Sequence, residues 1–390
     1  MSWSRIALAA AGAVLLSVVA VFSVIELGKR QFTRPGLLNE AVFFDIPKGA
    51  GAAAVATSLE AQGIISGSGI LPADMIFREG ARHSGRATAI RFGTFEIPAG
   101  ASMDEILSII TNSTAAGERY QVRLKAGARG GTVWLGERKA GEEGFTELVV
   151  YRQGDTIPDA YSGVVQVQSS IGYRVVIPEG LTSWQVVQSL SAADFLSGDP
   201  GAVPPEGILA PDTYAVERGL QRSALLQRMR ESQRMILTEA WEQRRSDLPV
   251  ETAEEALILA SIIEKETGLA DERRRVASVF VNRLRLGMPL QTDPSVIYGV
   301  TEGKAPLGRG LRQSELKGDT PYNSYLHKGL PPTPIANPGR HAIQAALNPE
   351  ASKFLYFVAD GTGGHAFSEN YDEHRKNVRA WRKIESGKDR

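Results

Sequence analysis

Hydrophobic positions change their rhythm several times along this chain, and each rhythm predicts a different element. From Ile6 to Ile25 the sequence IALAAAGAVLLSVVAVFSVI carries no charge, with Arg5 before it and Glu26, Lys29 and Arg30 after it. About 20 apolar residues at ~1.5 Å each span a hydrocarbon layer of roughly 30 Å. A cleaved export signal has a shorter apolar region and a small-x-small cleavage site, and neither is evident here. Residues 1–30 therefore read as a cytoplasmic stub and a retained transmembrane anchor. Positive charge alone, with Lys29, Arg30 and Arg34 against Arg5, would keep the C-terminal side inside.

A second rhythm is a weak internal repeat. Ile-Pro-x-Gly occurs at Ile46–Gly49, Ile97–Gly100 and Ile177–Gly180, each time after a short β-like run: Val42-Phe43-Phe44, Phe92 to Phe95, and Tyr173 to Val176. A helical pattern follows each copy. Gly51, Ser102 and Thr182 stand at the expected N-caps, and Ser102-x-x-Glu105 and Thr182-x-x-Gln185 are capping boxes. The unit is strand, tight turn, helix. Between the second and third copies, Tyr120, Val122 and Leu124 alternate, as do Val133 and Leu135, so residues 117–170 read as a β-rich insertion.

Beyond Pro204-Pro205 the pattern turns helical. Leu225, Met229, Ile236 and Ala240 share one face of a helix expected from about Ser223 to Arg245. The segment AEEALILASIIEKETG after Thr252 is apolar nearly all round, which marks a buried helix. A Pro/Gly-rich stretch (Pro321 to Gly339), a helix over Arg340 to Leu347, a strand over Phe354 to Val358 and a final helix from about Glu369 complete an α+β chain.

Composition narrows the function classes. Lys plus Arg and Asp plus Glu each number 44, so the formal net charge is zero, whereas a nucleic-acid partner calls for a basic excess. There is no cysteine, which removes disulfides, thiolate metal sites and a cysteine nucleophile. The histidines have no HExxH spacing, no G-x-S-x-G elbow is present, and no metal or cofactor is expected. Gly49-Ala50-Gly51 resembles the start of a dinucleotide fingerprint, but the other two copies make the same turn without its second glycine. Gly361-Thr362-Gly363-Gly364 reads as a strand-to-helix loop.

Glu264 is the candidate for chemistry. At ~100° per residue it projects within about 20° of Leu257, on the face of Ala260 and Ser261, while Glu266 projects nearly opposite. A carboxyl drawn partly out of water has a raised pKa, as a general acid for glycoside cleavage requires. Spacing alone leaves a second reading open, in which Glu264-Lys265-Glu266 is the solvated last turn of a helix. Gln291-Thr292-Asp293 and Tyr322-Asn323-Ser324-Tyr325 lie in loop-like surroundings rich in Pro and Gly, where ligand contacts and ordinary turns are both common.

Five motifs in one order decide more than spacing does. EGILAPDTY (Glu206 to Tyr214), LASIIEKETG with DERRRVASVFVNRLRLGMPLQTDPSVIYG (Leu259 to Gly299), YNSY (Tyr322 to Tyr325), GLPPTPIANPG (Gly329 to Gly339) and LYFVADGTGGHAFS (Leu355 to Ser368) closely resemble the endolytic murein transglycosylase, or YceG-like, family. The resemblance implies LysM-like small α/β units over residues 40–205, interrupted by the β-rich insertion, and a helix-rich YceG-like catalytic domain over 206–390. It implies a lytic transglycosylase that cuts the bond between N-acetylmuramic acid and N-acetylglucosamine and leaves 1,6-anhydro ends. Glu264 matches the family's catalytic glutamate. Gln291, Thr292, Asp293, Tyr322, Asn323 and Tyr325 match positions expected to line a glycan groove. Expected partners are peptidoglycan strands, the inner membrane, with the catalytic domain on its periplasmic side, and peptidoglycan synthases, with no nucleic acid. Ser324 stands where Thr is common, and Ala210 where an aromatic is common. Two rival functions are a muramidase that adds water, with Asp293 as second carboxylate, and a catalytically silent wall-binding anchor.

Overall fold

The computed structural model describes residues 3–112, 116–167 and 170–388. In chain order the elements are α1 (Trp3–Thr33), β1 (Val42–Ile46), α2 (Ala52–Ala61), α3 (Ala73–His83), β2 (Gly93–Ile97), α4 (Met103–Thr111), β3 (Ala116–Gly117), β4 (Tyr120–Lys125), β5 (Thr132–Glu137), β6 (Thr146–Arg152), α5 (Asp159–Val167), β7 (Ile171–Val176), α6 (Ser183–Leu190), β8 (Thr213–Val216), α7 (Arg222–Glu242), α8 (Ala253–Glu266), α9 (Ala270–Arg285), α10 (Asp293–Thr301), α11 (Gln313–Leu316), α12 (Arg340–Leu347), β9 (Tyr356–Ala359), β10 (His365–Ser368) and α13 (Tyr371–Lys388). The class is α+β. Strands form three sheets, in the orders β1-β2-β3, β6-β5-β4-β7-β8 and β10-β9.

The chain divides into two compact units, the first comprising residues 1–121, 135–149 and 158–172, the second 122–134, 150–157 and 173–390. In the first, β1 and β2 pair antiparallel with Val42 opposite Ile97 and Phe44 opposite Phe95. Phe44, Ile46, Val55, Leu59, Phe77, Phe95, Ile97, Ile106 and Ile110 form its core. Ser102 caps α4 in a reciprocal box with Glu105, as the sequence anticipates. Gly51, with no side chain to offer, starts α2 without a side-chain cap bond. The stretch read as a β-rich insertion contains β4, β5 and β6, and also the helix α5, whose Tyr161 and Val165 are buried. Glycine and serine among its polar positions conceal that helical period.

The third Ile-Pro-x-Gly copy packs with the C-terminal half of the chain. Its strand β7 pairs antiparallel with β8, Val175 facing Tyr214, and Thr182 closes a capping box with Gln185 on α6. On α7, Leu225, Met229, Ile236 and Ala240 are buried, and so is Gln233, whose amide donates to Gly207 O and Pro338 O at 3.0 Å each. Helix α8 runs through the core of this unit. Ala256, Leu257, Leu259, Ala260, Ile262 and Ile263 pack with Val276 and Phe280 of α9 and Ile343, Ala346 and Leu347 of α12. Each such large apolar side chain contributes about 1.5–3 kcal/mol by leaving water.

One polar residue interrupts that buried helix. The Ser261 hydroxyl is fully buried, donates to Ile258 O at 2.7 Å, and accepts Ile335 N at 3.0 Å. Ser261→Ala strands the buried Ile335 N–H, so denaturant unfolding is expected to show a loss of about 1–3 kcal/mol. A loss within the error of the measurement would mean that the segment around Ile335 relaxes to find water.

Candidate functional site

The Glu-Lys-Glu run ends α8, and its two carboxylates leave the helix toward different surroundings. Glu264 is half-buried. Its Oε2 accepts the backbone N–H of Gly339, the N-cap of α12, at 3.0 Å. Burial pushes its pKa above the ordinary carboxylate range; the Gly339 hydrogen bond opposes that shift, Glu179 adds to it, and Arg273 and Lys265 oppose it.

Glu179 is the residue that sequence reading missed. It occupies the variable position of the third Ile-Pro-x-Gly turn, and its carboxylate lies against Gly339: a Cβ at residue 339 would fall 1.8 Å from Glu179 Oε1. Gly339 thus meets two carboxylates, donating its N–H to one and yielding its side-chain space to the other. The turn is held in place by Gly180 N donating to Asn337 O at 3.0 Å and Asn337 N donating to Leu181 O at 2.8 Å. The Asn337 side chain, wholly buried, accepts Leu209 N at 2.9 Å and donates to Leu181 O at 3.0 Å. Arg273, also buried, offers Glu264 its compensating charge, and its Nε has no hydrogen-bond partner among the described residues.

Glu266 enters a separate cavity of about 470 Å³, lined among others by Arg283, Gln291, Asp293, Tyr325 and His374. Its carboxylate accepts the Thr292 hydroxyl at 2.5 Å, and burial raises its pKa, with Thr292 opposing and Asp293 adding. The Tyr325 hydroxyl donates to Asp293 Oδ1 at 2.7 Å. Burial and that carboxylate push the Tyr325 pKa upward, so the phenol keeps its proton. Gln291, with φ 52°, occupies the left-handed region, an uncommon state for a residue with a side chain, and its Oε1 accepts from Arg283 at 3.2 Å.

Three of the sequence-selected groove residues, Gln291, Asp293 and Tyr325, therefore share one cavity with Glu266, while Glu264 is not among its lining residues. Thr292 and Asn323 are not among the lining residues of that cavity. Both are buried, and their polar atoms are spent inside the protein: Thr292 on Glu266, Asn323 on Leu316 O, Gly318 O and Tyr325 N. They shape the loops. Tyr322 packs at a tilt against Tyr298, ring centres 4.9 Å apart, and its hydroxyl bonds the Thr333 hydroxyl at 2.8 Å. Ser324 ties the two loops together, accepting Thr292 N at 2.9 Å and donating to Thr292 O at 3.2 Å. The Asp293 segment is not a plain loop, since Asp293-Pro294 opens α10, where an acidic residue and an early proline both suit a helix start. Gly361 to Gly364 joins two strands, β9 and β10, instead of a strand and a helix, because His365 to Ser368 pairs back onto Tyr356 to Ala359. Among the described residues no group of three or more His, Asp or Glu is placed to hold a metal.

With this geometry in view, comparison with known proteins is decisive for the family: the YceG-like family model matches residues 151–380. The chain belongs to the YceG-like family. Among curated relatives, an endolytic murein transglycosylase of Bacillus subtilis is 27% identical over 86% of this chain and 83% of its own. One from Streptococcus pneumoniae is 34% identical over 44% of this chain, a stretch that spans 31% of that longer relative. A solved YceG-like protein from Listeria monocytogenes, 24% identical, aligns over 86% of this chain and 99% of its own with a TM-score of 0.43.

The carboxylate pair in this YceG-like chain gives a direct test. A like charge beside Glu264 keeps its proton on to higher pH, so removing that charge releases the proton earlier. Carbodiimide modification needs a protonated carboxyl. In Glu179→Gln, the pH at which Glu264 modification falls to half, followed by peptide mass spectrometry, is expected to drop. Glu179→Asp is expected to retain most of the shift. An unchanged midpoint in Glu179→Gln would remove Glu179 from the electrostatics of the site.

Proposed function

We propose that this protein is a membrane-anchored endolytic lytic transglycosylase that cuts peptidoglycan glycan strands, with Glu264 as its acid and base. The observation carrying this reading is the Glu264 carboxyl at the end of a buried helix, half out of water and fixed by Gly339 N–H, in a chain of the YceG-like family. The naming of its relatives as endolytic murein transglycosylases supports it.

In this mechanism protonated Glu264 gives its proton to the glycosidic oxygen between N-acetylmuramic acid and N-acetylglucosamine as the C1–O bond breaks. The resulting carboxylate takes the proton of the muramoyl 6-hydroxyl, whose oxygen closes onto C1. A 1,6-anhydro end forms, no water is consumed, and Glu264 ends protonated. Burial and Glu179 favour the protonated start, and Arg273 favours the charged intermediate state of the residue. Gln291, Asp293, Tyr322 and Tyr325 are assigned to the glycan groove, with Thr292 and Asn323 as supports behind it. The strand-turn-helix units of residues 40–205 are assigned as LysM-like and residues 206–390 as the catalytic domain. Helix α1 is assigned as a single-pass anchor in the inner membrane, the rest of the chain extracytoplasmic. Its apolar residues from Val14 to Ile25 are exposed along the helix, in keeping with that role. Synthases working on the same strands are the proposed protein partners.

Glu264→Gln is expected to lower turnover of uncrosslinked glycan about 10²–10⁴-fold while glycan binding persists. Product masses one water below those of reducing ends identify the anhydro chemistry; masses with the water retained would make the protein a muramidase. Wild-type turnover in Glu264→Gln, with loss in Glu266→Gln, would move the acid into the cavity on the other side of the helix end. Full complementation in cells by Glu264→Gln would favour the silent anchor.

A further inference from the structure

Helix α1 continues without a break from its apolar stretch into the first unit, where its last turns pack on α3. The contacts are close. Phe32 is buried against Gly80, where a Cβ would fall 2.3 Å from its ring, and its ring centre lies 6.5 Å from that of Phe77. Gly28 faces Leu71, whose Cδ1 would be 3.7 Å from a Cβ at residue 28. Beside these contacts a groove of about 500 Å³ remains open, walled on one side by Val24, Ile25 and Phe32 and on the other by Leu71, Met75 and Ile76. Lys29, Glu79 and His83 also border it. Met75 in the groove wall is 41% exposed, and Ile70, which precedes Leu71 in the chain, is 73% exposed.

The level of these groups along α1 matters. The uncharged stretch ends at Ile25, and Leu71 lies level with Gly28, three residues further, which is ~4.5 Å along a helix axis. That height is just outside the hydrocarbon layer, inside the headgroup layer that adds roughly 5–8 Å on each side of it. A mostly apolar groove walled by Leu71 and the part-exposed Met75, with exposed Ile70 adjoining Leu71 in the chain, is unfavourable in water and suited to lipid. The Lys29 side chain, one residue past Gly28, can lay its stem along the groove and carry its ammonium to phosphate level.

We propose that this groove seats an acyl chain of a phospholipid from the host bilayer, with Ile70, Leu71 and Met75 dipping into the membrane interface and Lys29 meeting the lipid phosphate. The proposal rests on the reading of α1 as a membrane anchor. It makes the anchor more than a tether: the first unit is held at a fixed height and rotation on the membrane surface by a second apolar contact beside the span.

The absence of native cysteine allows single labels in the full-length chain. With Met75→Cys carrying a bimane label, in vesicles of phosphatidylcholine and phosphatidylglycerol, lipids spin-labelled near the headgroup are expected to quench the label, as for a group in the interfacial layer. Aqueous iodide is expected to reach that label poorly. A label at Leu16→Cys reports the span itself and is expected to respond to lipids spin-labelled deep in the chain. If label 75 is open to iodide and indifferent to lipid while label 16 is quenched, the groove assignment falls and the anchor stands. If label 16 is not quenched, the anchor reading falls and the groove assignment goes with it.

Discussion

The second unit depends on the burial of one helix. Helix α8 presents apolar side chains to α9, α12 and the segment around Ile335, and only Ser261 needs a polar partner inside. Because the buried residues from Ala256 to Ile263 hold the helix up to its last turn, the position of the residues that follow is set by packing and not by loop conformation. Glu264 and Glu266 inherit that rigidity. Two residues apart on a helix, they diverge by roughly 200° and reach different environments, one against the start of α12 and the other against Thr292. Preorganisation of a carboxylate by a core helix is a cheaper solution than holding it on a mobile loop, since the ordering entropy is already met by the apolar contacts.

Much of this was readable from residue order. The all-round apolar segment from Leu257 to Ile263 identified the core helix, and its angular period separated Glu264 from Glu266. Two capping boxes located the starts of α4 and α6, and the heptad-like spacing of Leu225, Met229, Ile236 and Ala240 located the buried face of α7. These features are local, decided within a turn or two of helix. Gln291, Asp293 and Tyr325 were selected through motif resemblance, and they meet in one cavity.

What could not be read depends on contacts between distant segments. Nothing near Glu179 in the sequence points to Gly339, which lies across the fold. The burial of Thr292 and Asn323 could not be read either, because an exposed amide or hydroxyl and a buried, satisfied one are written with the same letter; only the three-dimensional count of donors and acceptors separates them. The helix α5 was hidden inside a β-rich stretch, and α10 behind the Pro/Gly content of its surroundings, where Asp293-Pro294 was as good a turn as a helix start. The period places Glu266 nearly opposite Glu264, which is correct but says nothing about what waits on that side.

The three Ile-Pro-x-Gly turns differ at the position before the glycine: Lys48, Ala99 and Glu179. All three glycines share a left-handed backbone, with φ of 86°, 70° and 77°. One duplicated bend therefore accommodates a cation, a methyl group or an anion without changing its path. In the third copy the variable side chain is a carboxylate that adds to the proton affinity of Glu264, while the bend itself keeps its path. Repetition has supplied this chain with an interchangeable electrostatic dial, and proton retention at its neighbour is what the dial adjusts.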